Sequence, residues 1–214
     1  MSIDSSPQTT PLHKLARRDP SRTRQSLLSA AFTEIYRVGY QGSDLNAILG
    51  RAGVTKGALY HHFANKEALG HALIDDVVGA ITHSKWLAPL LVTSDPISAL
   101  IAIVESTSTT DEDVAGGCPL NNLAQEMSNV DEGFRTHIAE LFNRWIDGVA
   151  DALTRGQTNG VVRPDINPRE AGTFMVAAYE GYFSLAKNMR NGALMAVGIR
   201  QIVQYLNSLR TTED

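Results

Sequence analysis

Two short helical segments joined by a tight turn constrain the fold of this chain more than any other feature of its sequence. The first opens at Ser43, a residue type suited to an N-cap, and stops at Gly53. The second covers Lys56 to Phe63, directly after the turn Gly53-Val54. Apolar residues recur at helical spacing in both segments, so each has one face for a core. A turn this short holds one helix across the other, and the spacing predicts a helix-turn-helix.

The rest of the chain is also predicted to be helical. Its apolar residues recur at helical spacing, and an alternating strand pattern never extends beyond four residues. The predicted helices outside the pair run from about residue 21 to Gly39, from Lys66 toward Trp86 with an interruption at Pro89, from Pro96 to Ser108, onward from Cys118-Pro119, from Asp131 to Gly156, from Pro168 to Arg190 and from Ala193 to Leu209. An acidic, flexible stretch is expected over residues 109–117. We predict an all-α protein with about nine helices.

Charge is distributed unevenly along the chain. The 214 residues carry a net charge of -4, which by itself argues against nucleic-acid binding. Between Lys14 and Ala72, however, nine basic residues outnumber four acidic ones, a balance of +5, and from Leu73 onward the balance is -8. We therefore predict a basic module that can rest on phosphates, attached to an acidic module.

Several classes of protein are excluded by composition and motifs. No apolar run approaches the roughly 18 to 20 residues that span a bilayer, and the polar start lacks the apolar region of a secretory signal, so we expect a soluble, cytoplasmic protein without a membrane partner. Cys118 is the only cysteine, which excludes an intrachain disulfide and a thiolate-rich zinc site. Adjacent His61 and His62 point about 100° apart on a helix, and no carboxylate completes a ligand set with them, so they are not predicted to bind a metal. Motifs for phosphate loops, dinucleotides, nucleophile elbows and zinc proteases are missing, so no catalytic residue, cofactor or metal is predicted.

The segment from Gly39 to Leu69 resembles the DNA-binding signature of the tetracycline-repressor (TetR) family. It reads GYQGSDLNAILGRAGVTKGALYHHFANKEAL, with the spacing of the whole unit, whereas the remainder matches only in helix number and length. The resemblance implies a homodimeric transcription regulator, usually a repressor, that a small molecule releases from its operator. It divides the chain into a flexible N-terminal arm (residues 1–20), a DNA-binding domain (21–66) and a domain for effector binding and dimerisation (67–214).

A set of residues in this segment are candidate contacts to operator DNA. Thr55 and Lys56 lie at the N-terminus of the second helix, where N–H groups and a basic side chain suit a phosphate or a guanine edge. Gly57 and Ala58 are small enough for close approach to bases. The other candidates donate hydrogen bonds to phosphates, and they are Ser43, Tyr60, His61, His62 and Lys66. Most of these contacts position the helix, and the bases are read by residues 56–58 and by Tyr60 or His61.

Two other interpretations of the basic part remain open. It can be a merely structural module of an all-α enzyme or small-molecule binding protein, with its charges on a solvated face. It can also belong to an activator or a nucleoid protein, which the acidic remainder of the chain disfavours. Operator specificity and the salt dependence of binding separate these interpretations.

Cys118, Asn122, Trp145 and Tyr179 are the candidate lining of an effector pocket. The last three pair apolar area with a polar atom that orients a ligand. Cys118 stands at a predicted helix N-terminus, where the dipole favours a thiolate that reacts with electrophiles. Acidic residues 111–113 oppose this, and a buried, inert cysteine is the alternative. The segment Gly117 to Leu123 is similar to a Gly-Cys helix start in one branch of TetR-like regulators, some of which sense reactive molecules.

The last two predicted helices carry more apolar residues than one inward stripe requires. A second apolar face implies a partner, and two helices from each of two chains would form a four-helix interface. The resulting two-fold axis predicts a palindromic operator whose half-sites are one or more turns of DNA apart, roughly 34 to 36 Å per turn.

Overall fold

The computed structural model describes residues 20–211 of the chain. The predicted N-terminal arm lies outside these residues, apart from Pro20, the first residue of α1 (Pro20–Val38). Residues 20–211 form helices joined by turns, and the one pairing of extended backbone in this range is an isolated bridge between Val162 and Arg210. The all-α prediction is therefore confirmed.

The predicted helix-turn-helix lies directly after α1. It consists of α2 (Leu45–Ala52) and α3 (Lys56–His62), which are joined through Gly53. Gly53 has a φ of 64°, in the left-handed region that favours glycine, and it ends α2. Thr55 caps α3 as predicted, because its hydroxyl accepts a hydrogen bond from Ala58 N at 3.3 Å. These two residues fix the turn between the helices.

The cap of α2 differs from the prediction by one residue. Asp44 is the N-cap in place of Ser43, and its carboxylate accepts a hydrogen bond from Asn46 N at 3.0 Å. Ser43 is buried, and its hydroxyl donates to the Tyr40 carbonyl oxygen at 2.7 Å. A carboxylate adds a favourable interaction with the helix dipole, so Asp44 takes the cap and Ser43 closes the preceding turn.

These three helices share a small core. Apolar side chains from each of them and from the residue that follows α3 are almost completely buried, namely Leu27, Leu28, Ile48, Leu59 and Phe63. The helix α1 packs against both α2 and α3. It therefore supports the pair from one side and leaves the opposite side to solvent.

A long helical rod comes after the helix-turn-helix. Its segments are α4 (Lys66–Ala72), a π-helical segment (Leu73–Val78), α5 (Gly79–Thr82), a second π-helical segment (His83–Leu87) and α6 (Ala88–Leu91). Asn65 caps its start as predicted, with Oδ1 accepting from Ala68 N at 2.7 Å. The predicted interruption at Pro89 is wrong, because the rod continues through this residue. Pro89 is the second residue of α6, and proline is tolerated in the first turn after a change of hydrogen-bond register.

Six further helices complete the described structure. They are α7 (Pro96–Glu105), α8 (Asp111–Ala115), α9 (Pro119–Met127), α10 (Glu132–Thr158), α11 (Pro168–Met189) and α12 (Gly192–Ser208). The flexible stretch predicted over residues 109–117 contains the single turn α8, which Thr110 caps by accepting from Asp113 N at 3.2 Å. Counting the rod once and setting α8 aside, residues 20–211 contain nine helices, as predicted.

The helix α10 lies at the centre of this second part. It packs against α11, α9, α7 and the rod. Its apolar side faces them with fully buried residues such as Phe134, Leu141, Trp145 and Val149. None of the helices in residues 20–211 has both the length and the apolar character needed to cross a membrane.

Candidate DNA-binding surface and effector site

The helix α3 presents most of the predicted DNA contacts to solvent. Residues 55–57 are exposed at its N-terminus, and Tyr60 and His61 are exposed one turn later. Tyr60 is 49% exposed, whereas Leu59 beside it is completely buried. One face of α3 therefore belongs to the core, and the opposite face is available to a groove of DNA.

Charge and space on α3 suit close contact with DNA. Lys56 Nζ lies 6.0 Å from the centre of the Tyr60 ring, so the ammonium and the phenol are neighbours on the exposed face. A Cβ at Gly57 would meet only Thr55 Oγ1, at 3.9 Å. Packing within the chain therefore does not require glycine at this position, and close approach of a base remains a reason for it. Residues 58 and 62 are half-buried beside this face.

Ser43 lies in the turn between α1 and α2, and the side chain of Lys66, the first residue of α4, reaches this turn. Lys66 Nζ donates to the carbonyl oxygens of Tyr40 at 2.8 Å and Ser43 at 2.7 Å, and it lies 4.7 Å from the centre of the Tyr40 ring. Burial lowers the pKa of Lys66, and nearby acidic groups oppose this effect. The two side chains hold the turn together, so any contact they make with DNA is additional to this role.

Glu126 attaches the same turn to the second part of the structure. Its carboxylate on α9 accepts hydrogen bonds from the backbone N–H groups of Tyr40 at 2.8 Å and Gln41 at 2.7 Å. Gly39 permits this approach, because it has a φ of 83° and a Cβ there would lie 2.9 Å from either carboxylate oxygen. No local signal in the sequence identifies Glu126, since its partner Tyr40 is 86 positions earlier. These two hydrogen bonds connect α9 directly to the turn before α2.

Trp145 and Tyr179, two of the predicted pocket residues, lie together in the interior. Their ring centres are 6.1 Å apart, and Trp86 contacts both, at 4.7 Å and 4.8 Å. Lys85 Nζ donates to the Tyr179 hydroxyl at 2.9 Å and to the Thr107 hydroxyl at 3.1 Å. Burial lowers the pKa of Lys85. A basic side chain is therefore held among aromatic rings.

Glu180 and Cys118 lie close to Lys85, and we call residues Lys85, Thr107, Cys118, Tyr179 and Glu180 the interior polar cluster. Glu180 is 6% exposed, and within residues 20–211 its carboxylate accepts no hydrogen bond from a nitrogen or an oxygen, although the Cys118 thiol, a weak donor, lies close to it. The indole N–H of Trp145 is also buried without a partner in this range. Burial raises the pKa of Glu180 to about 7, and the Cys118 thiol together with the charge of Lys85 offsets only part of this effect. Buried polar atoms without partners are places where a bound molecule can supply the missing hydrogen bonds.

Cys118 is the N-cap of α9, as predicted, but its surroundings oppose a thiolate. Burial raises the pKa of the Cys118 thiol, and the negative charge of Glu180 raises it further. Backbone N–H groups of α9 act in the opposite direction and do not cancel the effect. The surroundings of Cys118 therefore favour the inert alternative over a reactive thiolate.

We expect Glu180→Gln to stabilise the protein at alkaline pH. The pKa of Glu180 is raised from 4.5 to about 7, so the folded chain keeps a proton that the unfolded chain loses at lower pH. Stability therefore falls by roughly 3 kcal/mol as the pH rises from about 4.5 to about 7, and it stays reduced above that range. Thermal unfolding at pH 8 should give a higher Tm for the variant, with equal values near pH 4. A lower Tm for the variant at pH 8 would contradict this account of Glu180.

Asn122, the remaining predicted pocket residue, faces a cavity of about 780 Å³. The cavity is lined by α1 on the DNA-binding side, by α9 and α11, and by part of the rod. Asn122 Oδ1 accepts a hydrogen bond from Lys187 Nζ at 2.7 Å. Tyr36 also lines the cavity, and its hydroxyl donates to the Gly117 carbonyl oxygen at 2.8 Å, next to Cys118. The predicted pocket residues are thus divided between this cavity and the neighbouring interior polar cluster.

Known transcription regulators are similar to this chain in sequence and fold. Residues 27–73 match the family described as "Bacterial regulatory proteins, tetR family", and residues 96–202 match "Tetracyclin repressor-like, C-terminal domain". The HTH-type transcriptional repressor DhaR of Mycobacterium sp. (strain GP1) is 28% identical over 78% of this chain and 84% of DhaR. The A-factor receptor protein of Streptomyces griseus is 30% identical over 75% of this chain and 53% of the receptor. A TetR-family transcriptional regulator from Cytophaga hutchinsonii, 22% identical, superimposes with a TM-score of 0.80 over 91% of this chain and 98% of that structure.

The two matched regions coincide with the two parts of the structure. The first spans α1 to the start of the rod and includes the exposed face of α3. The second spans α7 to α12 and by itself covers half of the 214 residues. The similar proteins are regulators of transcription and not enzymes. The chain therefore belongs to the TetR family of DNA-binding transcriptional regulators.

Proposed function

We propose that the protein is a cytoplasmic repressor that binds a palindromic operator as a homodimer and leaves it when a small molecule binds. The observation that carries the proposal is the hydrogen bonding of Glu126 to the turn before α2. This contact ties the helix-turn-helix to α9, which lines the cavity. A ligand that prefers a displaced α9 would shift α2 and α3 with it. A difference of about 1.4 kcal/mol in affinity between two states changes operator binding tenfold.

The dimer is proposed to form through α11 and α12. Apolar side chains on α11 are exposed at positions spaced to form one stripe, and Phe174 is 53% exposed, Leu185 51% and Met189 63%. Gly181 lies on the same stripe, and a Cβ there would meet no atom within 4 Å. Glycine within a helix costs about 0.5–1 kcal/mol relative to alanine, and close contact with a second helix is a reason to keep it. Two recognition helices related by a two-fold axis then require a palindromic operator.

The effector is proposed to bind in the cavity between α1, α9 and α11. Its volume of about 780 Å³ suits a small molecule, and its lining includes both apolar side chains and polar groups such as Asn122 and Lys187. A molecule in this cavity contacts the DNA-binding domain through α1 and reaches the neighbourhood of Glu126. The names of two relatives, a repressor and a receptor, support a repressor that responds to a ligand.

A non-covalent effector is favoured over an electrophile, because the pKa of the Cys118 thiol is raised. We therefore expect Cys118→Ser to keep both its operator affinity and its response to a non-covalent effector. Operator-bound wild-type protein should also remain bound when N-ethylmaleimide is added. Fluorescence anisotropy on labelled operator measures all three quantities. Release of the wild type by the electrophile, with no release of Cys118→Ser, would establish the electrophile mechanism instead.

The proposal is tested by fluorescence anisotropy of the full chain on duplex DNA from the region flanking its own gene. Titrations with salt and with unlabelled random DNA separate specific binding from binding to the phosphate backbone. We expect saturable binding that resists random competitor. Light scattering should give about twice the chain mass of 23.2 kDa. A monomeric protein, or binding no tighter than to random DNA across a library of candidate operators, would contradict the proposal.

A further inference from the structure

A second group of polar side chains lies where the rod meets the start of α10. Glu67 and His71 are four residues apart on α4, so they share one face of the helix. Asp131, the N-cap of α10, lies beside them. One ligand atom from each of the three residues lies within 4.8 Å of the other two. The arrangement thus brings an imidazole and two carboxylates from two different helices to one point.

One nitrogen of the His71 imidazole, Nε2, lacks a hydrogen-bond partner among the described residues. Nε2 is buried and has no hydrogen-bond partner within residues 20–211, because the nearest oxygen of Asp131 is 3.7 Å away. The ring is held in place by stacking on His137, with ring centres 4.6 Å apart, and by an edge contact with Phe134 at 4.8 Å. A buried polar atom without a partner requires an explanation. Here the fixed nitrogen lies 3.7 Å from Asp131 Oδ1, which is too far for a hydrogen bond.

The charges around His71 also lack compensation. Within residues 20–211 neither Glu67 nor Asp131 forms an ion pair with a lysine or an arginine. The second imidazole, that of His137, is already bonded to Asp75, with Nδ1 3.0 Å from a carboxylate oxygen. Two carboxylates and one imidazole nitrogen therefore face each other without a cation. Imidazole nitrogen and carboxylate oxygen are ligands that zinc and related divalent ions accept.

We propose that Glu67, His71 and Asp131 bind a divalent transition-metal ion, with Zn²⁺ as the ion to test. The Asp131 oxygen nearest to His71 is Oδ1, which accepts one hydrogen bond from Phe134 N at 2.8 Å and keeps a second lone pair for the metal. Ligand atoms at about 2.0–2.2 Å from zinc are roughly 3.3 Å apart, so one side chain must move inward on binding. Glu67 is exposed and can do so by a change of rotamer. Water completes the coordination.

The ion would join the DNA-binding domain to the second part of the structure. Glu67 and His71 belong to α4, which is separated by three residues from the end of α3 at His62. Asp131 belongs to the start of α10. Tyr40 borders the same site, since the charges of Glu67 and Asp131 add to the effect of burial on its pKa. Metal binding fixes α4 against α10 and is expected to change operator affinity. Only this last effect rests on the proposed repressor function.

The site is tested by isothermal titration calorimetry of the metal-free full chain with ZnCl₂. We expect one ion per chain, and at least a tenfold loss of affinity in His71→Ala, Glu67→Gln and Asp131→Asn. The asparagine keeps the Oδ1 acceptor that caps α10, and Glu67 is exposed, so both of these variants should fold. His83→Ala removes an exposed histidine of the second π-helical segment and serves as the matched control. At a hundredfold excess over Kd, zinc should raise the Tm by roughly 5–10 °C.

Two results would overturn the assignment. One is equal zinc affinity in the wild type and in all three ligand variants, and the other is loss of affinity in His83→Ala. Operator titrations with zinc or with a chelator then test the coupling, and identical operator affinities in the two conditions would overturn it. Failure to bind any operator in either condition would count against the repressor function and not against the metal site. The calorimetry and the operator titrations therefore separate the two proposals.

Discussion

Lys56→Ala is expected to lower operator affinity by about 30-fold or more. Lys56 is exposed at the N-terminus of α3, beside Tyr60, on the face that is not used for packing. A good contact between a basic side chain and a base edge contributes about 1–3 kcal/mol of discrimination. A homodimer loses this contact twice, so roughly 2–6 kcal/mol is lost, and each 1.4 kcal/mol is a factor of ten. Fluorescence anisotropy on operator and on random DNA measures the loss.

Two control variants accompany this prediction, one with a positive charge removed from a distant helix and one at the neighbouring Tyr60. Arg144→Ala removes one exposed positive charge from α10 and should change operator affinity less than twofold. Tyr60→Phe keeps the ring and removes only the hydroxyl group, so it separates a phosphate contact from the packing of the ring. If Lys56→Ala reduced binding to random DNA as strongly as binding to operator, Lys56 would be a phosphate contact and would not read sequence.

Phe134→Ala is expected to lower the free energy of unfolding by about 3–5 kcal/mol. Phe134 is 1% exposed, and its ring contacts Tyr40 from the turn before α2 and His71 from α4, with ring centres at 4.4 Å and 4.8 Å. Gly70 lies directly against the ring and has no side chain that could fill the space. A loss of this size corresponds to a fall in Tm of roughly 6–20 °C. Urea or thermal unfolding followed by circular dichroism measures it.

Val92→Ala is the control for the stability measurement. Val92 is 88% exposed, and its truncation should change stability by less than about 0.5 kcal/mol. Phe134→Leu keeps most of the apolar volume and should lose much less stability than the alanine variant. A Phe134→Ala protein as stable as the wild type would mean that the contact between the DNA-binding domain and α10 contributes nothing to the fold.

The elements that could be predicted from the sequence are those with strong local signals. Gly53 ends α2 through a positive φ, and Thr55 and Asn65 each place a side-chain oxygen at a helix N-terminus. Such signals act within a few residues and do not depend on the rest of the fold. The exposed face of α3 could be predicted for the same reason, since the buried Leu59 and Phe63 determine which side chains remain outside.

The errors have physical causes that are not local. Residue type favours Ser43 as the cap of α2, but Asp44 competes for the same N–H groups and Ser43 has a partner in the Tyr40 carbonyl oxygen. Pro89 is expected to interrupt the rod, but the preceding π-helical segment changes the hydrogen-bond register. Neither the partner of Ser43 nor the change of hydrogen-bond register before Pro89 is apparent from residue type and spacing alone.

In the interior of the second part, too, contacts between residues far apart in the chain could not be predicted from the sequence. Trp145 and Tyr179 could be singled out by their chemistry, but Lys85, Glu180 and Glu126 could not, because their partners are far away in the chain. Lys85 and Tyr179 are separated by 94 positions, and Glu126 and Tyr40 by 86. Long-range pairing of this kind depends on how the helices pack. Asn122 is grouped with Trp145 and Tyr179 because of its side-chain chemistry. The packing of the helices places it instead at the cavity between α1 and α9.

The two π-helical segments of the rod have a consequence for insertions and deletions. One residue added to or removed from an ordinary α-helix rotates everything beyond it by about 100°. Such a change within α4 would turn Trp86 away from its contacts with Trp145 and Tyr179. A π-helical segment contains one residue more than an α-helix of the same orientation requires, so a deletion there is expected to convert it to α-helix and to preserve the orientation of the rest of the rod. Single-residue deletions should therefore be accepted within Leu73–Val78 and rejected within Lys66–Ala72, only a few positions earlier.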